Sequence, residues 1–182
     1  MNSPNCPEQA RPSLSELTRE LHHACEAHPI GQAMVSGSIQ PGQWADWLWA
    51  MRAIHMVVDS QLPGHMDRVA PLSADLALLP RANPSRAALR FAADLAGPFS
   101  GVVGAAYVLH GAHRSGGRVL APKMAKLGLP TNHTSYIEPH AVRRWLDQAR
   151  ARADMADQAR ATFECLLAVL GEIEARNYGR SK

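Results

Sequence analysis

A histidine and a carboxylate near the amino terminus have the residue types and the spacing of a metal-binding pair. His22 and Glu26 lie four residues apart, so on a helix the carboxylate can reach the imidazole and fix its tautomer, as the partners of metal-bound histidines do. The helical pattern places His22 on the flank of an apolar stripe and points the neighbouring His23 toward water. A hydrogen-bonded histidine at the edge of the core fits the same pattern, and these residues alone leave both interpretations open.

Further histidines occur at positions where a helix is expected to be buried. His55 falls near the middle of an apolar stripe, with Asp59 one turn later. A buried imidazole must be hydrogen-bonded or bound to a ligand. His110 and His113 lie beside a cluster of glycines, in a chain that contains 9 histidines altogether. The sequence therefore predicts polar side chains within the helical core.

The glycine cluster interrupts a segment that otherwise predicts one helix from Phe99 to Leu127. Gly111, Gly116 and Gly117 lie in its interior, where each glycine costs about 1 kcal/mol relative to alanine. Such a cluster indicates that the helix bends there or that something packs against its bare backbone. A neighbouring helix and a bound ligand both remain open at this point.

These residues are compatible with two kinds of iron chemistry. In the first, one histidine binds the iron of a flat macrocycle and the glycine-rich helix lies across its other face. In the second, histidines and carboxylates hold two non-haem irons, which requires about six ligands, usually with E-x-x-H spacing. Here His22–Glu26 and His55–Asp59 read H-x-x-x-E and H-x-x-x-D, so the second fit is poorer. Nucleophilic catalysis is not indicated, since the chain has no G-x-S-x-G motif and no phosphate loop.

Helices must position these residues, because no segment alternates with a period of two over a useful length. The pattern predicts an all-α single domain of about seven or eight helices, with Ser13 or Ser15 capping the first and Ser85 capping a later one on which Leu89 faces inward. The expected helices are 14–26, a short helix ending at Gly37, 41–62, 66–79, 85–96, 99–127, 141–152 and 155–175. We expect residues 1–12 to be a disordered leader, 13–176 to form the domain and 177–182 to be a frayed tail.

Composition excludes several other classes of protein. The formal net charge is +3 with scattered basic residues, so nucleic acid is not an expected partner. No apolar run approaches 18 residues, so no membrane span is expected, and the first residues lack the features of a signal peptide. The three cysteines, Cys6, Cys25 and Cys165, have no C-x-x-C spacing, which is typical of a reducing cytoplasm.

Taken in order, the motifs resemble those of biliverdin-producing haem oxygenases of the bacterial type, over nearly the whole chain. The similarity begins with L-x-x-x-T-x-x-x-H-x-x-x-E and continues through a tryptophan-rich second helix and an Asp-Leu pair to a glycine-rich helix and a closing ARATFECL. These motifs lie at Leu14–Glu26, Pro29–Gly37, Pro41–Leu62, Asp75–Leu76, Tyr107–Leu120 (YVLHGAHRSGGRVL) and Ala159–Leu166.

The resemblance implies a role for each matching residue. His22, with Glu26 beside it, would be the proximal ligand of the haem iron. The distal face would be lined by Gly111, Ser115, Gly116 and Gly117, and the haem propionates would contact Tyr107 and either Arg143 or Arg144. The reaction implied is oxygen-dependent opening of haem to biliverdin, ferrous iron and carbon monoxide. Haem would be both substrate and cofactor, with O2 as co-substrate and electrons from a ferredoxin or a flavoprotein reductase.

The sequence departs from the family pattern on the distal side. His113 stands about where many members carry an aspartate of the proton-delivering water network, and His55 stands where a tyrosine of that network is common. The spacing from Gly111 to Gly116 is one residue longer than in typical bacterial members. Either the network is rebuilt from these histidines, or a distal histidine also binds the iron in a non-catalytic haem carrier or sensor. A non-haem di-iron oxygenase on the same scaffold is the third hypothesis.

Overall fold

Ten α-helices make up most of the chain in the computed structural model, which describes residues 12–97 and 101–176, and no strand occurs in those residues. This confirms the prediction of an all-α fold. The helices are α1 Leu14–Leu17, α2 Arg19–Ala27, α3 Pro29–Ser36, α4 Pro41–Val58, α5 Val69–Leu76, α6 Arg86–Leu95, α7 Val103–Gly111, α8 Gly117–Lys126, α9 Pro139–Arg150 and α10 Ala156–Glu174. The predicted leader, apart from Pro12, and the predicted tail lie outside the described residues.

The first predicted helix is divided into α1 and α2 at Thr18. Ser13 is the N-cap, and it forms a capping box with Glu16, which satisfies two backbone N–H groups that the first turn leaves free. Thr18 leaves helical geometry at φ −117° and ψ 4°, and its hydroxyl donates to the carbonyl of Leu14 at 2.7 Å. The prediction of one uninterrupted helix was wrong here, because a threonine side chain can compete with the helical backbone for hydrogen bonds.

The core is built around α4 and α10. Helix α4 packs against α5 and α6, and α10 packs against α2, α6 and α7. Among the fully buried side chains are Trp44, Leu48, Ile54, Leu109 and Leu170. Each contributes about 1.5–3 kcal/mol by leaving water, so this cluster fixes the helices that carry the candidate residues.

Close packing requires a glycine at one point of this core. A Cβ on Gly104 would lie 2.7 Å from the carbonyl oxygen of Met155 and 3.0 Å from the amide nitrogen of Ala159. Because both neighbours are backbone atoms, neither could move aside cheaply. The glycine therefore lets α7 approach the start of α10.

The predicted helix 99–127 is continuous from Val103 to Lys126 but contains a π-helical turn at Ala112–Gly116. Residues 99 and 100 lie outside the described part of the chain. A π-turn holds one more residue per turn than an α-helix and is frequent at functional sites. The segment from Gly111 to Gly117 therefore passes through a wider turn without a break in the helix.

A membrane span was not expected, and within residues 12–97 and 101–176 no helix combines the length and apolarity that crossing a membrane requires.

Candidate functional site

A cavity of about 580 Å³ lies among the helices that carry the predicted site residues. It is lined by residues of α1 to α4, of α7, the π-turn and α8, and of α9 and α10. Its lining includes Thr18, Arg19, His22, His23, Cys25, Glu26, Met34, Trp47, Tyr107, Gly111, Arg114, Ser115, Gly116, Leu146, Asp147, Arg150, Phe163 and Leu170. A cavity of this size suits a ligand as large as an organic cofactor.

His22 reaches the cavity from α2 with its side chain 55% exposed. Its ring stands edge-on to Phe163, with 5.7 Å between ring centroids, so one side of the imidazole is supported by α10. The Nε2 atom lies 3.8 Å from the Glu26 carboxylate, which is beyond hydrogen-bonding distance. His23, which was expected to point to water, is exposed but also lines the cavity.

Cys25 also lines the cavity, beside these histidines. Burial raises the pKa of its thiol to about 11, and the sulfur lies 3.8 Å from the backbone carbonyl of Phe163, to which the S–H donates. The residue therefore stays a thiol at neutral pH. Since the thiolate is the form that binds metals, His22 is the better candidate ligand.

The clustered glycines have two different structural roles. A Cβ on Gly111 or Gly116 would meet nothing within 4 Å, and both residues line the large cavity together with Ser115. Bare backbone is thus exposed to a ligand there. A Cβ on Gly117 would lie 2.7 Å from the Cβ of Thr134, and Gly117 lines a smaller neighbouring cavity instead. Gly117 is a packing residue, because it lets α8 approach the segment around Thr134.

The cationic residues of the large cavity differ in part from those the sequence suggested. Arg143 and Arg144 are exposed on α9 and are not among its lining residues, and Arg143 lies 3.6 Å from Asp147 in an exposed ion pair. The arginines that do line it are Arg19, Arg114 and Arg150.

A signal for two of these arginines is present in the sequence. Arg19, His22, His23 and Glu26 follow the i, i+3, i+4, i+7 spacing of one helical face, and Arg150 lies two turns after Arg143. The three arginines that line the cavity, together with Tyr107, which also lines it, are suited to contact an acidic group of a ligand.

A hydrogen-bonded network of buried histidines lies behind the π-turn, and Asp59 is its centre. The Asp59 Oδ1 atom lies 2.9 Å from Nδ1 of His55 and 3.1 Å from Nε2 of His110. The second ring nitrogen of His55 lies 2.8 Å from Nε2 of His113, and that of His110 lies 2.9 Å from the Tyr136 hydroxyl. His55 and His110 are fully buried and His113 is 7% exposed, which confirms that His55 is buried and hydrogen-bonded.

A second buried pair adjoins this network. Asp75 is fully buried, and one of its oxygens accepts hydrogen bonds from the backbone N–H and the ring of His133 at 3.0 and 2.6 Å. The His133 ring stands edge-on to that of His113, with 5.2 Å between centroids. The Arg68 guanidinium lies 3.9 Å from the centre of the Tyr136 ring, and the Arg68 backbone N–H donates to Asp59 Oδ2 at 2.7 Å.

The electrostatics of the network indicate an ionised Asp59 and neutral rings at His110 and His113. Burial alone would raise the pKa of Asp59, but the hydrogen bonds from His110 and His55 outweigh it and hold that pKa well below its usual range. Burial lowers the pKa of His110 to about 4, against the opposing effect of Asp59. Burial, together with the nearby His55 and His133, holds the pKa of His113 well below its usual range. His110 and His113 are therefore neutral at pH 7.

Two groups of three side chains in the described residues bring their ligand atoms within 4.8 Å of one another, as a metal site would require. One is His22, His23 and Glu26 on the exposed face of α2. The other is His55, Asp59 and His110, whose facing atoms already hydrogen-bond to one another. Neither group contains the six or so ligands of a di-iron centre.

Comparison with known proteins identifies the fold but not the family. No family model matches the chain, and no curated protein matches it. Among solved structures, the chain is similar to the crystal structure of heme oxygenase-1 from the cyanobacterium Synechocystis sp. PCC6803 in complex with heme. The TM-score is 0.76 at 16% sequence identity, over 88% of this chain and 90% of that chain. The protein therefore has the haem oxygenase fold.

Proposed function

We propose that the protein is a haem oxygenase that opens haem to biliverdin, ferrous iron and carbon monoxide. The observation that carries the proposal is the large cavity of this fold, where the His22 imidazole and the bare backbone of Gly111 and Gly116 line the same space. Haem would be both substrate and cofactor. The proposal includes O2 as co-substrate, a ferredoxin or flavoprotein reductase as electron donor, and a cytoplasmic location.

The residues present fit a haem group. Imidazole is a common axial ligand of haem iron, and the exposed His22 ring offers one into the cavity. The absence of side chains at Gly111 and Gly116 allows a flat ring to lie against the helix backbone. The cationic Arg19, Arg114 and Arg150 are suited to the two propionates. Haem bound there would supply the iron at which dioxygen is activated.

The chain's own residues would bind and orient this group. His22 would hold the iron from α2, while Phe163 supports the other side of its ring. Glu26, one helical turn away, would orient the imidazole once a small movement closes the 3.8 Å separation. The π-turn residues that line the cavity would help to shield the bound group from water.

The two alternative functions have less support in the described residues. Bis-histidine ligation would need a second imidazole on the large cavity in the distal region, yet His113 is hydrogen-bonded to His55 and does not line that cavity. A di-iron oxygenase would need more ligands than His55, Asp59 and His110 provide. Neither alternative is favoured by a specific observation.

The test is a hemin titration of the wild type, followed by addition of a reductant and O2. We expect a Soret band at one hemin per chain and then conversion to biliverdin. His22→Ala should remove most of the activity, because the iron loses its protein ligand. His23→Ala is the matched control, since His23 also lines the cavity from α2, and it should retain turnover. Undiminished turnover in His22→Ala, or failure of the wild type to bind hemin, would contradict the proposal.

A further inference from the structure

Three side chains on the exposed face of α2 present a set of ligands for a metal ion. One ligand atom from each of His22, His23 and Glu26 lies within 4.8 Å of those of the other two. Glu26 comes four residues after His22 and three after His23, so on a helix its carboxylate neighbours both imidazoles. A single helix therefore brings two nitrogen donors and one oxygen donor to the same place.

The separations of these atoms suit two ligands of one ion. Metal–nitrogen and metal–oxygen bonds of about 2.0–2.2 Å put neighbouring ligand atoms about 3–3.5 Å apart. Nε2 of His22 lies 3.8 Å from Oε1 of Glu26, which is close to that spacing but too long for a hydrogen bond. The rings of His22 and His23 are tilted by 54° with 6.2 Å between centroids, so they can approach an ion from different directions. The side chains of His22 and Glu26 are 55% and 59% exposed, which leaves them free to close the remaining distance.

The ligand atoms of this group are also available to an ion. In the part of the chain that the structure describes, no hydrogen bond engages a ring nitrogen of His22 or His23, or the carboxylate of Glu26. The facing atoms of the buried group around Asp59, by contrast, already hydrogen-bond to one another. An ion can therefore bind on α2 without breaking a hydrogen bond within the protein.

The chemistry of the donors selects the class of ion. Mg²⁺ and Ca²⁺ prefer oxygen ligands, whereas imidazole suits iron, nickel, copper and zinc, and two histidines with one carboxylate are typical of non-haem ferrous sites. Cys25 does not belong to the group, so no sulfur ligand is present. Arg19 comes three residues before His22 and lines the same cavity. Because its charge opposes a cation, the site favours ions that bond strongly to nitrogen.

We propose that His22, His23 and Glu26 bind one divalent transition-metal ion, such as ferrous iron, in the haem-free protein, and that this ion and haem exclude each other. Binding of the ion follows from the donor geometry alone. The exclusion rests on the proposed function, in which His22 binds the haem iron. A neutral imidazole has one nitrogen that can bind a metal, because the other carries a proton, so the His22 ring serves one iron at a time.

The exclusion has a consequence for the reaction sequence. Ring opening by the proposed function frees ferrous iron at His22, next to His23 and one helical turn from Glu26. The freed ion would be retained by these three side chains, and the next haem would bind only after the ion had left. The protein would thus be inhibited by ferrous iron, one of its own products.

The first test is a titration of the haem-free protein with Co²⁺, an air-stable probe for this class of ion, followed by calorimetry and by the visible absorption of the bound ion. We expect one Co²⁺ per chain in the wild type and no comparable binding of Mg²⁺. His23→Ala and Glu26→Gln should each weaken Co²⁺ binding at least about tenfold, the lower end of the cost of losing even an indirect partner of a metal ligand. His140→Ala is the matched control and should match wild type, because His140 is an exposed histidine of α9 outside the group. Equal Co²⁺ affinity in wild type, His23→Ala and Glu26→Gln would overturn the proposed site.

The second test measures competition with hemin. Saturating Co²⁺ should weaken hemin binding to the wild type, and hemin should weaken Co²⁺ binding by the same factor, because the coupling between two ligands is reciprocal. In His23→Ala the same Co²⁺ concentration should have little effect on hemin binding, because that variant keeps His22 but lacks the second imidazole of the ion site.

Two outcomes of the competition separate this inference from the proposed function. Simultaneous binding of one hemin and one Co²⁺ to the wild type, each at undiminished affinity, would overturn the exclusion and leave the proposed function intact. Failure of the wild type to bind hemin would instead contradict the proposed function, and with it the exclusion, while the Co²⁺ titration would still decide whether the three side chains bind a metal ion.

Discussion

Two adjacent glycines of the distal segment differ in what surrounds them. Gly116 has open space where a Cβ would point, whereas the Cβ of Gly117 would meet Thr134 at 2.7 Å. The sequence marks both residues as costly in a helix but does not distinguish them. The distinction depends on Thr134, a neighbour 17 residues away along the chain that reaches α8 only through the tertiary fold.

Substitution by alanine should therefore have opposite effects at these two positions. Gly116→Ala should leave the free energy of unfolding unchanged or raise it by up to about 1 kcal/mol, because alanine favours the helix. Gly117→Ala should lower it by about 1–3 kcal/mol through overpacking against Thr134. Urea denaturation of the haem-free variants measures both. Equal effects at the two positions would contradict the packing role of Gly117.

The arginines that line the large cavity make a separate prediction about ligand binding. Arg114→Gln and Arg150→Gln should each weaken hemin binding by about five- to tenfold, because each removes a cation suited to a propionate. Added salt should reduce the difference from wild type, since screening weakens partly exposed charge pairs. Arg143→Gln is the matched control, because Arg143 is an exposed arginine on the same helix as Arg150, pairs with Asp147 and does not itself line the cavity. A larger loss from Arg143→Gln than from Arg150→Gln would contradict this assignment.

At the level of helices, the sequence offered two serines, Ser13 and Ser15, as possible N-caps of α1. Ser13 caps the helix, and Ser15 is an exposed residue of its first turn. Ser13→Ala should lower the free energy of unfolding by about 1 kcal/mol, because the Glu16 backbone N–H loses the serine oxygen that caps it and the Glu16 carboxylate loses the serine hydroxyl as a donor. Ser15→Ala should change it by less than about 0.5 kcal/mol. Chemical denaturation monitored by circular dichroism distinguishes the two, and a larger effect at Ser15 would be inconsistent with the observed cap.

Helix positions could be predicted from the sequence because caps, prolines and apolar spacing are local. The predicted helices 41–62 and 155–175 correspond to Pro41–Val58 and Ala156–Glu174. On α6, Leu89 was expected to face inward but is 51% exposed, whereas the smaller Ala88 and Ala92 are buried. The larger side chain does not mark the buried face of α6. This helix packs closely against α4 and α10, and close packing favours alanine at the contact.

The partners within the site could not be predicted in the same way. Each histidine of the network was visible in the sequence as an unusual residue, but His55 and His113 are 58 positions apart. Their pairing depends on the π-turn and on how α4 packs against the helices around it. The same holds for Asp75, which the resemblance marked only as part of an Asp-Leu pair and which holds His133 in the structure.

For the molecule as a whole, the buried histidines should make stability depend on pH. The pKa of His110 is lowered from 6.5 to about 4 in the fold, and burial also holds the pKa of His113 well below its usual range. Between about pH 6.5 and pH 4 the unfolded chain therefore binds protons at these two residues that the folded chain does not. Stability must rise with pH across this window and is lost as the pH falls through it.

The free energy of unfolding of the haem-free protein should thus fall from pH 7 to pH 4, with a slope of up to about one proton for each of the two histidines. Replacing His110 by glutamine should reduce that slope by about one proton, because glutamine does not titrate. The free energy of unfolding at pH 7 should also fall in this variant, because the hydrogen bond to Asp59 is weakened. His140→Gln, an exposed change on α9, should leave the slope unchanged. Urea denaturation at half-unit pH intervals measures it. A flat profile for the wild type would mean that His110 and His113 gain protons as readily in the folded state as in the unfolded one. That result would contradict the assignment of neutral rings to His110 and His113.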